Sequence, residues 1–448
     1  MTAKAPLDSM RAVLAALGKN PKVRYAEVRF VDDRTERLRI RDGRIERAIE
    51  GSATGVAVRV LGEKTWGFSC TSDLSEGAIR AAADRAVAVA HASSSAVTRA
   101  VALPERNPER GSYSTPVEID PFSVPLETKL AELDRAVAAL RTGGPKIRTA
   151  EAWMDFTRLK KHLLTTDGCD VAQDFTYGGC GMHVYAVGDD GRAQRRSYPT
   201  WGGGEGFQAG YERVAQLDLV GHAPEVVAEA IALLTAPACP SGARDLILES
   251  SQLALQIHES CGHPTELDRA LGTEISLAGG SFLQPNLLGK LRYGSPLVNL
   301  VADATSAGGM GTFGWDDEAV PGGKHALVQE GMFTNYLSSR ETAAALGKAS
   351  TGTMRADGWN RTPIIRMTNV SLEPGKGSLE DLIADTKDGV LFATDKSWSI
   401  DDLRLNFQFS CEIAWEIKNG KRMRILRDPF YTGITPEFWR SCNAVCGP

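Results

Sequence analysis

Arg37-Leu-Arg-Ile-Arg-Asp-Gly-Arg-Ile-Glu-Arg-Ala-Ile49 sets the architecture of the first half of this 448-residue chain. Apolar residues alternate with charged ones on either side of Asp42-Gly43, a dipeptide suited to the positive φ angles of a two-residue hairpin turn. Upstream, Tyr25 to Val31 alternates as a strand, with Tyr25, Glu27 and Arg29 on one face and Ala26, Val28 and Phe30 on the other. Downstream, Gly55 to Val60 reads as a further strand. Residues 6–18 have the spacing of a short amphipathic helix, and the alanine-rich stretch 77–92 forms a helix readily.

The pattern recurs. Five prolines between Pro104 and Pro125 mark a loop or linker, and a helix is expected at Leu126–Arg141. Thr149–Phe156 and Gly181–Val187 then read as strands, with Asp167-Gly168 in the hairpin position. Either a hairpin unit has been duplicated or two hairpins simply look alike. A helix at Pro224–Leu234 ends before Ala236-Pro-Ala-Cys-Pro-Ser-Gly242, where the main boundary is placed. The expectation is an α+β protein: residues 1–236 form an α/β sandwich-like domain, and residues 237–448 form a β-rich domain. Strands are expected at 245–249, 297–302, 326–330, 364–370, 389–393, 407–417 and 423–426, and helices at 251–262, 338–346 and 378–385.

Composition narrows the function. Charged residues make up 24% and the net charge is −5, with Lys and Arg spread along the chain, so no basic footprint for nucleic acid exists. No run approaches the ~20 apolar residues needed to cross a bilayer. Met1-Thr-Ala-Lys-Ala-Pro-Leu-Asp8 has no apolar signal core, so a cytoplasmic location is expected. Eight cysteines are too sparse for a disulfide framework there.

Chemistry concentrates in Asp245-Leu-Ile-Leu-Glu-Ser-Ser-Gln-Leu-Ala-Leu-Gln-Ile-His-Glu-Ser-Cys-Gly-His-Pro264. A strand ending near Glu249 leads into a helix capped by Ser250 or Ser251, with His258 and Glu259 in its last turn. His263 follows His258 by five positions, ~140° round a regular helix, so an unbroken α-helix cannot aim both at one ion. Gly262 and Pro264 bracket His263 and supply a break that can bring it back. Two neutral imidazoles suit zinc, and Glu259 would be the general base on a metal-activated water. The alternative is a pair of histidines that merely satisfy hydrogen bonds at a packed helix end.

The chain resembles the TldD branch of the TldD/PmbA peptidase family. The matching pieces are Tyr25-Ala-Glu-Val-Arg-Phe30, His258-Glu-Ser-Cys-Gly-His-Pro-Thr-Glu-Leu-Asp268, Gly314-Trp-Asp-Asp-Glu-Ala-Val-Pro321, Arg366-Met-Thr-Asn369 and Gly433-Ile-Thr-Pro-Glu-Phe-Trp439, collinear along nearly the whole chain. The resemblance implies a zinc metallopeptidase that cleaves unfolded or flexible peptides, with His258 and His263 as ligands and Glu259 as catalytic acid/base. It implies a homodimer, or a heterodimer with a PmbA-like subunit that lacks the metal motif. It also implies a third ligand from a cysteine in a Cys-Gly-Lys-like segment beyond Trp439, which the sequence to Pro448 does not contain. A longer C-terminal tail, substitution by Cys446, or weak metal binding would each account for this, and the tail is preferred. The rival reading is a non-catalytic PmbA-like partner or scaffold subunit.

Other residues invite weaker readings. Glu266 and Asp268 could orient an imidazole, bind metal, or be solvated loop acids. Cys261 reads as packing, and Trp315-Asp-Asp-Glu318 reads as a solvated turn. Tyr198–Phe207 is glycine-rich without a phosphate-binding pattern and reads as a flexible loop at a subunit contact or substrate channel. His91, His162, His183, His222 and His325 stand alone.

Overall fold

The computed structural model describes residues 5–199 and 203–447. Helix α1 (Leu7–Gly18) precedes the strands β1 (Tyr25–Arg41), β2 (Arg44–Leu61) and β3 (Trp66–Thr71), and α2 (Glu76–Ser93) follows. After β4 (Arg110–Ser114) the arrangement returns: α3 (Leu126–Arg141), β5 (Ile147–Thr165), β6 (Asp170–Val187), β7 (Ala193–Tyr198), β8 (Glu205–Phe207), α4 (Glu212–Leu217) and α5 (Leu219–Thr235). The strands form a sheet in the order β3-β2-β1-β5-β6-β4, with β7 and β8 also on β6. Antiparallel pairing of β1 with β5, from Glu27↔Thr165 to Arg41↔Glu151, sets the two hairpins head to tail. Asp42 and Gly43 take φ of 53° and 75°, the handedness that matches strand twist in a two-residue turn.

β1 and β2 run longer than their apolar patterns, because their polar middles are satisfied by neighbours. Thr54 Oγ1 donates to Asp32 across the pair at 2.5 Å, and the buried Lys129 Nζ of α3 donates to Glu36 at 2.6 Å. The alternation sorts the faces. Ala26, Val28 and Phe30 join the α1–α2 core, while Leu38 and Ile40 join the α3–α5 core. Burial of Val28, Phe30, Leu38 and Ile40 contributes about 1.5–3 kcal/mol each relative to exposure. The proline-rich stretch is more ordered than a linker: β4 within it pairs parallel with β6. Of the glycine-rich stretch, Thr200, Trp201 and Gly202 lie outside the described residues, as do Met1–Lys4, while Glu205–Phe207 pairs with β6.

The second half comprises β9 (Asp245–Leu248), α6 (Ser250–Ile257), a π-helical turn (His258–Gly262), α7 (Leu267–Ala270), α8 (Ile275–Ala278), β10 (Leu300–Asp303), β11 (Lys324–Gln329), β12 (Met332–Phe333), α9 (Arg340–Ala345), β13 (Met354–Arg355), β14 (Ile364–Ile365), β15 (Asn369–Leu372), α10 (Leu379–Asp385), β16 (Asp388–Ile400), β17 (Asn406–Lys418), β18 (Lys421–Leu426), β19 (Phe430–Ile434) and α11 (Thr435–Arg440). One sheet runs β18-β17-β16-β9 with β19 also on β17, a second runs β12-β11-β10-β15, and β13 pairs with β14. Helix α6 lies between two cores: Leu255 packs on Phe407 and Phe409 of β17, and Ile257 faces a cluster that includes Leu300, Leu327, Phe333 and Trp439. No helix among the described residues is long and apolar enough to cross a membrane.

The acidic turn corrects the sequence reading: Asp316, Asp317 and Glu318 are 3%, 4% and 1% exposed, not solvated. The cations that pair with Asp317 and Glu318 come from the sheet face opposite the helices. Asp317 meets Lys161 Nζ at 3.0 Å and Arg29 Nη1 at 3.5 Å, and Glu318 meets Arg59 Nη1 at 3.1 Å. Asp316 accepts backbone N–H bonds from Glu318, Val320 and Met354, all at 2.9 Å. Buried charge persists only when paired, as Asp317 and Glu318 are, so the turn fastens the second half onto the first sheet. Glu412 of β17 does the same with Arg196 and Ser197 of β7, and Leu233 of α5 packs against Ala393 and Ile413.

Candidate metal centre

The local sequence builds the centre on one continuous right-handed coil. Helix α6 starts after Glu249, whose side chain makes no cap bond, so neither serine is the cap. Ser251 instead ties the helix to β16, its Oγ accepting from Thr394 N at 2.9 Å and donating to Glu249 at 2.9 Å. The coil then widens. The backbone N–H of His263 donates to the carbonyl of His258, the i→i+5 bond of a π turn. A turn closed over five residues cancels the angular mismatch that an α-helix would impose on a five-residue spacing. The two rings therefore meet edge to face with centroids 4.7 Å apart.

Gly262 and Pro264 do not break the helix. Gly262 (φ −65°, ψ −65°) and His263 (φ −59°, ψ −42°) both stay right-handed helical. A Cβ at 262 would lie 1.8 Å from Met367 Sδ, so a larger residue there would require that flexible side chain to move. The wide turn is locked by its surroundings. Trp439 Nε1 donates to Ser260 Oγ at 3.0 Å, and Tyr293 Oη donates to Ser260 O at 2.6 Å and lies 3.1 Å from Cys261 Sγ. Thr265 Oγ1 reaches the carbonyls of Cys261 and Gly262 at 3.0 and 2.7 Å, answering acceptors at the end of the turn.

One donor atom each from His258, Glu259 and His263 lies within 4.8 Å of the others. Glu259 and His263 are 5% and 7% exposed. Burial, and next the neighbouring His263, pushes the His258 imidazole down to about 4, so it is neutral at pH 7 and able to ligate. His263 Nδ1 lies 3.0 Å from Glu266 Oε2, and Glu266 is itself held by Arg269. Arg269 Nη2 also lies 3.1 Å from that Nδ1, so the two neighbours favour opposite tautomers; in the one that donates Nδ1–H to Glu266, Nε2 is the lone pair left for an ion. The donor chemistry fits zinc: two imidazoles and a carboxylate in a largely dry site.

The other candidates fall outside this group. Asp268 is buried and accepts from Ile365 N at 3.2 Å; burial, then Glu266 and Glu274, pushes its carboxyl up to about 7. Cys261 is buried, and burial pushes its thiol up to about 12, which leaves it a packing residue without thiolate character. Cys446 lies against α10, where Gly375 N donates to its carbonyl and Asp381 and Glu380 face its thiol; Cys442 packs at the edge of the second core. His162 pairs with Asp170, His183 packs on Tyr185 and His222 stacks on Tyr198. Sequence reasoning missed Arg404, whose Nη1 donates to Glu259 Oε2 at 3.0 Å. It stands 145 residues away in a turn with no signature, so only the fold brings it to the motif.

Comparison with known proteins extends along the chain. Residues 26–90 match the PmbA/TldA metallopeptidase domain 1 family, and residues 241–447 match the PmbA/TldA metallopeptidase C-terminal domain. A metalloprotease of Methanocaldococcus jannaschii is 30% identical over 422 residues, which cover 94% of this chain and 89% of that protein. A zinc metalloprotease TldD homolog of Saccharolobus solfataricus is 25% identical over 210 residues, 46% of this chain and 43% of that protein. The solved structure of TldE from Thermococcus kodakarensis superposes with a TM-score of 0.74 at 18% identity, covering 98% of this chain and 94% of that one, and shares the fold.

Proposed function

The chain belongs to the PmbA/TldD metallopeptidase family, and from that premise we propose that it is a zinc-dependent peptidase acting on unfolded or flexible peptides, with Glu259 as general base. The observation that carries this reading is the π turn that gathers His258, Glu259 and His263. His258 and His263 would hold the ion, and Glu266 would keep His263 in the ligating tautomer. When bound, zinc supplies Lewis acidity that polarises a peptide carbonyl and draws the pKa of a water towards neutrality. Glu259 takes a proton from the attacking water as its oxygen bonds to the carbonyl carbon. The same carboxyl then delivers that proton to the leaving amine as the C–N bond breaks. Burial around Glu259 limits competing bulk water.

Flexible substrates and assembly as a homodimer or with a PmbA-like subunit belong to the same proposal and rest on the family resemblance, while a cytoplasmic location rests on the sequence pattern alone. A second reading, a non-catalytic partner or scaffold subunit, draws on the ligand group itself, which among the described residues holds two histidines, one carboxylate and no cysteine.

Digestion of unfolded casein tests the reading. The wild-type chain should cleave it and a chelator should stop cleavage. Glu259→Ala should lose ~10²-fold or more in rate, the range of a general base, with zinc content near wild type. Undiminished cleavage by that variant would remove Glu259 from the mechanism. Zinc binding without cleavage by the wild type would favour the scaffold reading.

A further inference from the structure

Glu259 can play either of two parts. Its carboxylate is close enough to both histidines to be a third ligand, yet the mechanism needs it as a base. A catalytic zinc site keeps an open position, so a free carboxylate beside a dication held by His258 and His263 is drawn to it and would tend to close onto it.

Arg404 opposes that closure. Its Nη1 donates to Glu259 Oε2 at 3.0 Å, and the two side chains are 17% and 7% exposed, so the charge-assisted bond is screened little by solvent. The arginine is held there by its backbone. It sits in the turn between β16 and β17 at φ 65°, a left-handed conformation that costs a non-glycine residue about 1–3 kcal/mol. The turn is fastened on several sides. Asp401 accepts from Leu405 N at 2.8 Å and Asn406 N at 3.1 Å, Thr435 Oγ1 donates to Arg404 O at 2.9 Å, and Phe282 N donates to Leu403 O at 2.9 Å. A strained arginine over-determined by its surroundings and directed at the presumed base is the pattern of a functional constraint.

We propose that Arg404 is a positioning residue that keeps Glu259 off the ion and available as a base, so that in its absence Glu259 becomes a zinc ligand. The inference rests on the reading of His258, Glu259 and His263 as a peptidase zinc site. A guanidinium engaged with Oε2 leaves Oε1 for the attacking water; without it, the carboxylate loses the cation that competes with the metal for it.

The test measures zinc dissociation constants by competition with a chromophoric chelator, alongside casein cleavage. Arg404→Ala should bind zinc ~10-fold more tightly, on the scale of changes around metal ligands, while cleavage falls ~10²-fold. Those opposite movements separate positioning from structural damage, which would weaken both. The gain in affinity should vanish in Arg404→Ala/Glu259→Gln, and Arg404→Lys should restore part of the cleavage. Unchanged or weaker zinc binding in Arg404→Ala overturns the inference. If that variant does not fold, Arg404→Gln is read by the same two outcomes. Should the wild type bind zinc and lose it in His258→Ala while Arg404→Ala fails to tighten, the positioning role alone falls. If the wild type binds no zinc, the parent reading falls with it.

Discussion

Gly262 and Met367 approach closely in the centre. Gly262 has ordinary helical angles, so its worth lies in the missing side chain: an added Cβ would meet Met367 Sδ at 1.8 Å and Cγ at 3.0 Å. Gly262→Ala should therefore cost about 1 kcal/mol in a urea titration, the low end of the overpacking range because the side chain that must move is a flexible methionine, and alanine's better helix propensity offsets part of it. Met367→Ala in the same chain should return most of that loss; a single variant as stable as wild type would show that the close approach is not required. The motif residues were legible because their spacing is chemical: His258, Glu259 and His263 stand out in a sequence with few histidines. What Gly262 does was not. Glycine suggests freedom of backbone, whereas here it gives room, and the difference depends on a methionine 105 positions downstream in a separate segment.

Elements were legible where one stretch of chain sets its own partners. Helix α3 spans Leu126–Arg141 as its apolar spacing predicts, burying Leu133, Ala136, Val137 and Leu140 on one face. Strands β1 and β2 extend through Asp32–Glu36 and Glu50–Thr54, where the apolar pattern lapses, because cross-strand and helix partners satisfy the polar groups. The π turn was legible only as a need: five-residue spacing demanded some departure from α geometry, and residues such as Ser260, Tyr293 and Trp439 determine that the coil widens without ending. The acidic turn at Asp316–Glu318 shows the limit of composition. Like charges in sequence suggest solvent, but the cations that bury them lie on strands of the opposite half of the chain.

Across the whole molecule, those buried charges join the two halves around the centre. Burial pushes the Asp317 carboxyl up, but Lys161 and Arg29 outweigh it and hold it below its ordinary value of 3.8. A carboxyl depressed in the folded state stabilises above its unfolded value and loses that contribution as pH falls through the folded one. Asp317→Asn should thus destabilise by about 3–5 kcal/mol at pH 7, since it leaves Arg29 and Lys161 facing one another without their anion. The gap to wild type should hold down to about pH 4 and close below it. Equal denaturation midpoints at pH 7 would mean that the turn does not join the halves.

The central claim is that the π turn makes a zinc site of His258 and His263, and elemental analysis of the purified chain beside His258→Ala tests it most directly. The account predicts about one zinc per chain in the wild type, the content of a single site, and its loss in the variant. Equal zinc in both, or none in the wild type, would contradict it.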